Sequence, residues 1–345
     1  MGNINRSKPI GIGVVGCGQW GPNHIRVFSH FSDCRVLMCA DTDEKRLKAM
    51  KESFPHINAV TGYQEILKED AIDGVCIATP TKTHFQIAKE ALECGKHVLC
   101  EKPLALDPAQ CLTLKKLADK KRRVLMVGHI FLFNAGIVWL KEYIRSKALG
   151  NIFYAYSTRT NLGPFRYDVN ALWDLAPHDI SIFNFLFDSV PLNVSARGQR
   201  YLGDSLEDLA FVTLEYPKNI MVHLHVSWLD PKKVRQITLV GDKKMVVWDD
   251  LDAGGPVKIY DKHVDRTSTY YATYGDFQLL SREGKTEAPN IVVNEPLKTQ
   301  NEYFLRCIEE NSSPDISDAR KAMDVVRTLC AVQKSMNRKG MSVAV

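Results

Sequence analysis

The stretch IGIGVVGCGQWG, residues 10–21, decides the fold of the first part of this chain. Its first six residues form an apolar run that predicts a buried strand, and the rest has the spacing G-x-G-x-x-G. In such a turn Gly16 permits the tight bend, Gly18 lets the backbone approach a pyrophosphate, and Gly21 allows the next helix to pack closely on the strand. The N-terminus of that helix favours phosphate oxygens. We assign the phosphate contact to Gly16, Gly18, Gln19, Trp20 and Gly21.

An acidic residue, Asp41, follows the second apolar run at the distance of about 20 residues that dinucleotide-binding units show. A carboxylate there accepts hydrogen bonds from the two hydroxyls of the adenosine ribose and repels a ribose phosphate. The predicted cofactor is therefore NAD. Lys45 and Arg46 lie close in sequence, so NADP stays open as the alternative, and we include Arg46 among the cofactor-binding residues.

Short apolar strands alternate with helical patterns as far as residue 127. The predicted strands are 10–15, 35–40, 74–78, 97–100 and 124–127, and the predicted helices are 22–32, 43–53, 83–94 and 107–121. This alternation indicates right-handed crossovers and an α/β fold with a doubly wound parallel sheet, the Rossmann arrangement. We therefore predict a dinucleotide-binding domain over residues 8–127.

The pattern changes after residue 128, where pairs of strand-like runs flank turn residues at 217–219 and 241–243. Together with helices predicted over 172–187, 297–310 and 317–337, these hairpins indicate an α+β domain with a large, mainly antiparallel open sheet. We predict that this domain spans 128–345 and serves substrate binding and oligomerisation. The pattern leaves open whether helix 317–337 packs back on the first domain.

Two polar segments follow strands of the predicted parallel sheet, at the edge where such sheets bind ligands. Thr79-Pro80-Thr81 follows the strand 74–78, and Thr81 and His84 open the next helix. Glu101-Lys102-Pro103 follows the strand 97–100, and a lysine there can hold a substrate hydroxyl and stabilise the developing alkoxide. The alternative is that Lys102 is exposed and has no function. A cis Lys102–Pro103 peptide is one option for fixing the direction of a functional Lys102 side chain. From both segments we assign Thr79, Pro80, Thr81, His84, Glu101 and Lys102 to the cofactor site.

The long helix of the second domain carries Asp174 and His178, which are four residues apart and so share a face. His178 can take a hydroxyl proton because histidine titrates near neutrality, and Asp174 would favour the imidazolium. The alternative is a capped helix with a polar surface histidine. Asp179 points to another face, which indicates a structural role.

Composition and charge exclude several classes of function. The 345 residues are 45% hydrophobic and carry a formal net charge of +5, without an apolar run of the ~20 residues that a membrane helix needs. The dense basic run 120–123 ends a predicted helix, where cations are favoured, so we expect no nucleic-acid partner and no membrane partner. Nine cysteines without a C-x-x-C pair indicate reduced thiols, a cytoplasmic location and no metal site.

The chain resembles the glucose–fructose oxidoreductase, inositol dehydrogenase and MocA family. The resemblance lies in the ordered set of four motifs: the glycine turn, Thr79-Pro80 with His84, Glu101-Lys102-Pro103, and Asp174 with His178. The resemblance covers nearly the whole chain. It implies that Lys102, Asp174 and His178 form the catalytic group and that Glu101 contacts the nicotinamide ribose. It also implies homodimers or homotetramers built through the open sheet.

Residues 159–178 look like those members that act on nucleotide-linked sugars, often at the sugar 3-position, in bacterial surface-polysaccharide biosynthesis. The resemblance implies a substrate set of Lys102, Arg159, Asn161, Arg166, Tyr167, Trp173, Asp174 and His178. Arg159 or Arg166 can meet a phosphate or carboxylate through a bidentate contact, or can be a salt-bridge partner. Two alternatives stay open: a dehydrogenase of a free polyol or aldose, and a regulator that binds the dinucleotide without turnover.

Overall fold

The computed structural model describes residues 8–203, 205–252, 254–264 and 281–345. Its contacts divide these residues into two compact units. The first runs to Phe133 and includes Asn294–Arg327, and the second begins at Asn134 and includes Thr328–Val345. The predicted boundary at 127/128 lies near Phe133, but the sequence placed residues 294–327 in the second domain, whereas the contacts group them with the first. Within the first unit, the Ser317 carbonyl oxygen accepts a hydrogen bond from the Val127 backbone N–H, and Phe304 packs against Phe28.

The described strands form two sheets, one in each unit. In the first unit they are β1 (Ile10–Val15), β2 (Cys34–Ala40), β3 (Asn58–Val60), β4 (Gly74–Ile77), β5 (His97–Glu101) and β6 (Leu125–Gly128). In the second they are β7 (Ile152–Leu162), β8 (Asn193–Gln199), β9 (Leu209–Tyr216), β10 (Ile220–Ser227), β11 (Leu229–Gly241), β12 (Met245–Asp249), β13 (Val257–Val264), β14 (Ser281–Glu287) and β15 (Val343–Ala344).

The helices lie between and after these strands. They are α1 (Gly21–Phe28), α2 (Glu44–Ser53), α3 (Tyr63–Lys68), α4 (Thr81–Glu93), α5 (Pro108–Lys121), α6 (Ala135–Arg145), α7 (Ala171–Phe187), α8 (Pro296–Glu309) and α9 (Ala319–Asn337). Short 3₁₀ turns occupy Ile130–Phe133 and Pro217–Asn219. Within the described ranges, no helix combines the length and the apolarity that a bilayer crossing requires.

The first unit confirms the predicted Rossmann sheet. All its strand pairs are parallel, in the order β3-β2-β1-β4-β5-β6. Every residue of β1 and β4 is buried, as expected for a sheet covered on both faces. Because the strands are parallel, the segments that follow them share one edge, and this edge carries Gly16, Asp41, Thr79, Glu101 and His129.

The second unit confirms the predicted mainly antiparallel sheet. Its strand order is β14-β13-β12-β11-β7-β10-β9-β8-β15. Among the described strands of this second sheet, only the β7–β10 pair is parallel. Between those two strands the chain forms α7 and the β8–β9 hairpin, which is long enough for a crossover. On β10 the buried Val222 and Leu224 alternate with the exposed Met221 and His223, so one face of the sheet packs on α7.

Candidate active site

The glycine turn has the geometry that a dinucleotide requires. Gly16 adopts φ +97°, and a Cβ atom there would lie 2.6 Å from the Ala78 carbonyl oxygen. A Cβ atom on Gly21 would collide with the Gly16 carbonyl. Beside Gly18, in contrast, the nearest atom to such a Cβ is Nη1 of Arg46 at 3.7 Å, which leaves open space over that backbone. The residues present therefore fit a pyrophosphate that approaches at Gly18.

Asp41 connects the glycine turn to the end of β2. Its Oδ2 accepts a hydrogen bond from the Cys17 backbone N–H at 2.7 Å, and its Oδ1 accepts one from the Asp43 backbone N–H at 2.9 Å. Nη1 of Arg46 lies 3.5 Å from Oδ2, on a side chain that is half exposed. Since each carboxylate oxygen can accept more than one hydrogen bond, the contacts observed leave capacity for ribose hydroxyls.

The segment after β4 is tied to the segment after β5 by His84. Nε2 of this buried ring lies 2.9 Å from the Thr79 carbonyl oxygen, and Nδ1 lies 2.8 Å from that of Pro103. The Thr83 hydroxyl also donates to the hydroxyl of Thr79 at 2.7 Å. Thr81 is the buried first residue of α4. His84 therefore braces the two predicted cofactor segments against each other.

Glu101 ends β5 at the same edge, and Lys102 follows it directly. Lys102 is 9% exposed, and its peptide bond to Pro103 is cis, the option that the sequence left open. Its backbone N–H donates to Oε2 of Glu101 at 3.3 Å. A Cβ atom on Gly128 of the neighbouring strand would lie 3.1 Å from the Glu101 carboxyl group, so a side chain there would press against that group. The Glu101 carboxylate is consequently confined.

Two buried histidines near Glu101 were not predicted. His24 of α1 lies 2.9 Å from the Glu101 carboxylate, and its position on the buried face of an amphipathic helix was the signal that could have found it. His129 follows β6, and its Nδ1 lies 2.9 Å from the Ser317 hydroxyl, which donates to the Val127 carbonyl. Burial lowers the pKa of His129 to about 4, so this ring is neutral at pH 7.

In the second unit, Asn170 fixes the start of α7. Its side-chain oxygen accepts a hydrogen bond from the Trp173 backbone N–H, which caps the helix. Its amide nitrogen donates to Glu207 at 2.6 Å and to Gln333 at 2.9 Å. This buried network holds the helix end that carries Asp174 and the mostly buried His178.

Asp174 joins a network that the sequence suggested only in part. Its Oδ1 lies 3.2 Å from Nη1 of Arg166, and its Oδ2 accepts from the Trp228 indole N–H at 3.2 Å. Arg166 also binds Asp168 through two hydrogen bonds of 2.9 and 2.6 Å. The structure thus brings together Arg166 and Asp174 of the predicted substrate set and adds Trp228.

Arg159 requires a correction. Its guanidinium is buried and donates to both oxygens of the buried Asp179, at 3.0 and 2.9 Å. We therefore withdraw it as a substrate contact, because both parts of its bidentate fork are already engaged by a carboxylate. The same pair supports the structural role predicted for Asp179.

Three further residues of the predicted substrate set are Asn161, Tyr167 and Trp173. Asn161 donates from its side chain to the Gly163 carbonyl. Tyr167 is 94% exposed. Trp173 lines a cavity of about 420 Å³ with residues of α9, among them Cys330 and Asn337. None of these contacts places the three side chains around Asp174.

The comparison with protein families decides the identity of the fold. Residues 10–129 match the model of the oxidoreductase family with an NAD-binding Rossmann fold, GFO/IDH/MocA, and residues 137–247 match the GFO/IDH/MocA C-terminal domain. The chain belongs to this family. The family resemblance of the sequence is thereby confirmed, and so is the Rossmann domain as an NAD-binding domain of an oxidoreductase.

Individual relatives share less than a third of their aligned residues with this chain. UDP-N-acetylglucosamine 3-dehydrogenase of Acidithiobacillus ferrooxidans is 29% identical over 66% of this chain and 70% of that protein. Inositol 2-dehydrogenase 2 of Saccharopolyspora erythraea is 28% identical over 62% of this chain and 66% of that protein. The structure of the WlbA dehydrogenase from Bordetella pertussis, in complex with NADH and UDP-GlcNAcA, covers 98% of both chains with a TM-score of 0.80 and 19% identity. At that identity it shows the shared fold.

Proposed function

We propose that this GFO/IDH/MocA protein is an NAD-dependent sugar dehydrogenase that transfers a hydride between nicotinamide and a hydroxyl- or keto-bearing carbon. The observation that carries this proposal is the placement of Lys102, mostly buried, directly after Glu101 at the carboxyl edge of the NAD-binding sheet. A buried ammonium at that edge can polarise the reacting oxygen and stabilise an alkoxide. NAD supplies the hydride acceptor in oxidation and, as NADH, the donor in reduction.

The proton is assigned to His178. In oxidation its imidazole takes the proton of the substrate hydroxyl, and in reduction its imidazolium returns it. Asp174, on the same face of α7, favours the imidazolium through its negative charge. The contacts of Asp174 with Arg166 and Trp228 hold that carboxylate in one orientation.

The leading substrate class is a nucleotide-linked sugar, oxidised at the 3-position in bacterial surface-polysaccharide biosynthesis. The relative named UDP-N-acetylglucosamine 3-dehydrogenase supports this choice. Arg166 is already engaged by Asp168 and Asp174, so we assign it to holding the Asp174 carboxylate and not to binding a phosphate. A free polyol is the second candidate, and the similarity to an inositol 2-dehydrogenase supports it.

Lys102→Met and His178→Asn test the catalytic roles. Each variant should lower kcat by about 100-fold or more, because general acid–base and electrostatic groups contribute factors of that size. NAD binding, measured by titration calorimetry, should stay nearly intact. Lys116→Met and His56→Asn, at exposed positions, are matched controls that should keep full activity. Turnover that survives in either active-site variant contradicts the assigned role.

The substrate class is tested with a thermal-shift panel in the presence of NAD. UDP-N-acetylglucosamine, UDP, glucose and myo-inositol are compared, since a ligand that binds the folded protein raises its Tm. We expect the largest shift with the nucleotide sugar. A shift with myo-inositol alone would favour the polyol reading.

We further propose a homo-oligomer built through the exposed face of the second sheet and a location in the cytoplasm. Exposed apolar side chains on β9 and β10 support the first. None of the nine cysteines, all of which lie among the described residues, forms a disulfide, and seven are buried, which supports a reducing compartment.

A further inference from the structure

His24 is a buried polar side chain beside the proposed active site with no role assigned so far. It lies on α1, three residues after the last glycine of the turn, and is 0% exposed. Its Nε2 is 2.9 Å from Oε1 of Glu101, and its Nδ1 is 3.3 Å from the side-chain amide of Asn301 on α8. The ring also stacks on Phe28, with centroids 6.2 Å apart. Its orientation is thus fixed on three sides.

The charges around the ring indicate an ion pair. Burial lowers the pKa of His24, but the Cys76 thiol of β4 and the Glu101 carboxylate of β5 raise it to about 10. Burial likewise raises the pKa of Glu101, but the hydrogen bond and charge of His24, followed by the charge of Lys102, hold it below its ordinary value. We attribute the imidazolium to Glu101, because a neutral thiol carries no charge to stabilise it. Asn301 on α8 is neutral, and its amide nitrogen faces Nδ1 of the ring. An imidazolium donates from both ring nitrogens, so it requires this amide to be turned so that its buried oxygen, which makes no hydrogen bond as oriented, accepts from Nδ1.

The position of the Glu101 carboxylate is also restricted by Lys102 and Gly128. Oε2 of Glu101 accepts from the Lys102 backbone N–H, and the missing side chain of Gly128 leaves the space that the carboxyl group occupies. His24 supplies the remaining strong contact, which comes from a charged donor. Glu101 is therefore held both by its own strand and by the first helix of the dinucleotide-binding unit.

We propose that His24 is a positioning residue, whose imidazolium holds the Glu101 carboxylate in place to accept a hydroxyl of the nicotinamide ribose. The proposal rests on the proposed function, which makes the Glu101–Lys102 segment part of the active site. It connects the glycine turn to that segment, since α1 begins at Gly21 and carries His24 one turn later. Removing the imidazolium leaves a buried carboxylate without its cation, and that carboxylate then takes up a proton or turns toward Lys102.

The protonation state of His24 is measured without any ligand, by nuclear magnetic resonance of the full-length protein with ¹⁵N-labelled histidine. His24→Gln identifies the resonance by its loss. We expect the wild-type ring to be an imidazolium at pH 7, because the Glu101 carboxylate raises its pKa above the ordinary value. In Glu101→Gln the ring should be neutral at pH 7, because burial remains and the carboxylate charge is gone. A neutral His24 in the wild type at pH 7 overturns the proposal.

The positioning role is measured by calorimetric titration with NAD. His24→Gln should weaken NAD binding by about tenfold or more, the size expected for a charge-assisted hydrogen bond, whereas exposed His56→Gln should not. The double variant His24→Gln/Glu101→Gln should bind NAD no more weakly than Glu101→Gln alone, because His24 acts through that carboxylate. Additive losses contradict the proposal. If His24→Gln does not fold, sequential backbone assignment of the wild type identifies the His24 resonance, and the wild-type and Glu101→Gln spectra decide.

These outcomes are separate from those of the proposed function. Loss of turnover in Lys102→Met with a neutral His24 would support the dehydrogenase and reject the positioning role. An imidazolium at His24 in a protein that turns over no sugar would reject the reaction and keep the ion pair.

Discussion

The carboxylate of Asp41 accepts two backbone hydrogen bonds in the structure, from Cys17 in the glycine turn and from Asp43 at the start of α2. Asp41→Ser should weaken NAD binding by about 10–100-fold, because a charged acceptor for the ribose and for the turn is lost. The affinity for NADP should rise relative to NAD, since the carboxylate no longer repels a ribose phosphate and Arg46, now 3.5 Å from Asp41, is released toward it.

Fluorescence titration with NADH and NADPH measures this change. Asp43→Ser is the matched control, because serine keeps the helix cap that Asp43 provides and leaves Asp41 in place. An unchanged ratio of the two dissociation constants in Asp41→Ser would show that Asp41 does not select the cofactor.

The His24–Glu101 pair makes stability depend on pH. The folded-state pKa of His24 is raised, so its contribution is complete below pH ~6.5 and is lost as pH rises toward 10. The folded-state pKa of Glu101 is lowered, so its contribution is present above its ordinary pKa of 4.5 and is lost as pH falls. Glu101→Gln should therefore lower the denaturation midpoint more at pH 6 than at pH 9.5.

Urea unfolding followed by fluorescence at these two pH values tests the ion pair in the absence of NAD. Glu65→Gln, on the exposed side of α3, is the control and should have the same small effect at both. A penalty for Glu101→Gln that does not shrink at the higher pH would contradict a pair of opposite charges.

At the scale of elements, helix caps and apolar periodicity predicted those helices and strands that depend mainly on residues close together in the sequence. Helix α7 was predicted over 172–187 and runs over Ala171–Phe187, since Asn170 caps it and apolar residues repeat along it. Helix α6 was missed, although Asn134 caps it by accepting from the backbone N–H groups of Gly136 and Ile137. The short α3 and β3, and the strands β8 and β13–β15, gave no clear period in sequence.

Contacts between distant residues could not be predicted. The sequence showed Arg159 as a cation near the substrate helix, but only the fold pairs it with Asp179, twenty positions later. The parallel pairing of β7 with β10 likewise depends on which strands become neighbours, which local patterns do not determine. The proposed cofactor site needed only local patterns, because the glycine turn, Asp41 and the residues after β5 are each read from the ends of predicted strands; which of these residues contact NAD stays a prediction.

At the scale of the whole molecule, the second sheet has large apolar side chains exposed on one of its faces. Phe211 on β9 and Met221 on β10 are 43% and 54% exposed on that face. The Phe211 ring stacks on His225 and His223, with centroids 4.6 and 6.0 Å apart, so it is held in a flat aromatic surface. An exposed apolar surface of this kind is typical of an interface between subunits.

Phe211→Lys should therefore dissociate the oligomer and lower the molar mass measured for the protein in solution. The reason is that burying an unpaired lysine charge between two sheet faces has a large free-energy cost. Light scattering coupled to size exclusion, at micromolar concentration, measures the mass of the wild type and the variant. Leu112→Lys, an exposed apolar position on α5 in the other unit, is the control and should leave the mass unchanged. A wild type that elutes as a monomer, or a Phe211→Lys variant with the wild-type mass, would mean that this face is not the interface.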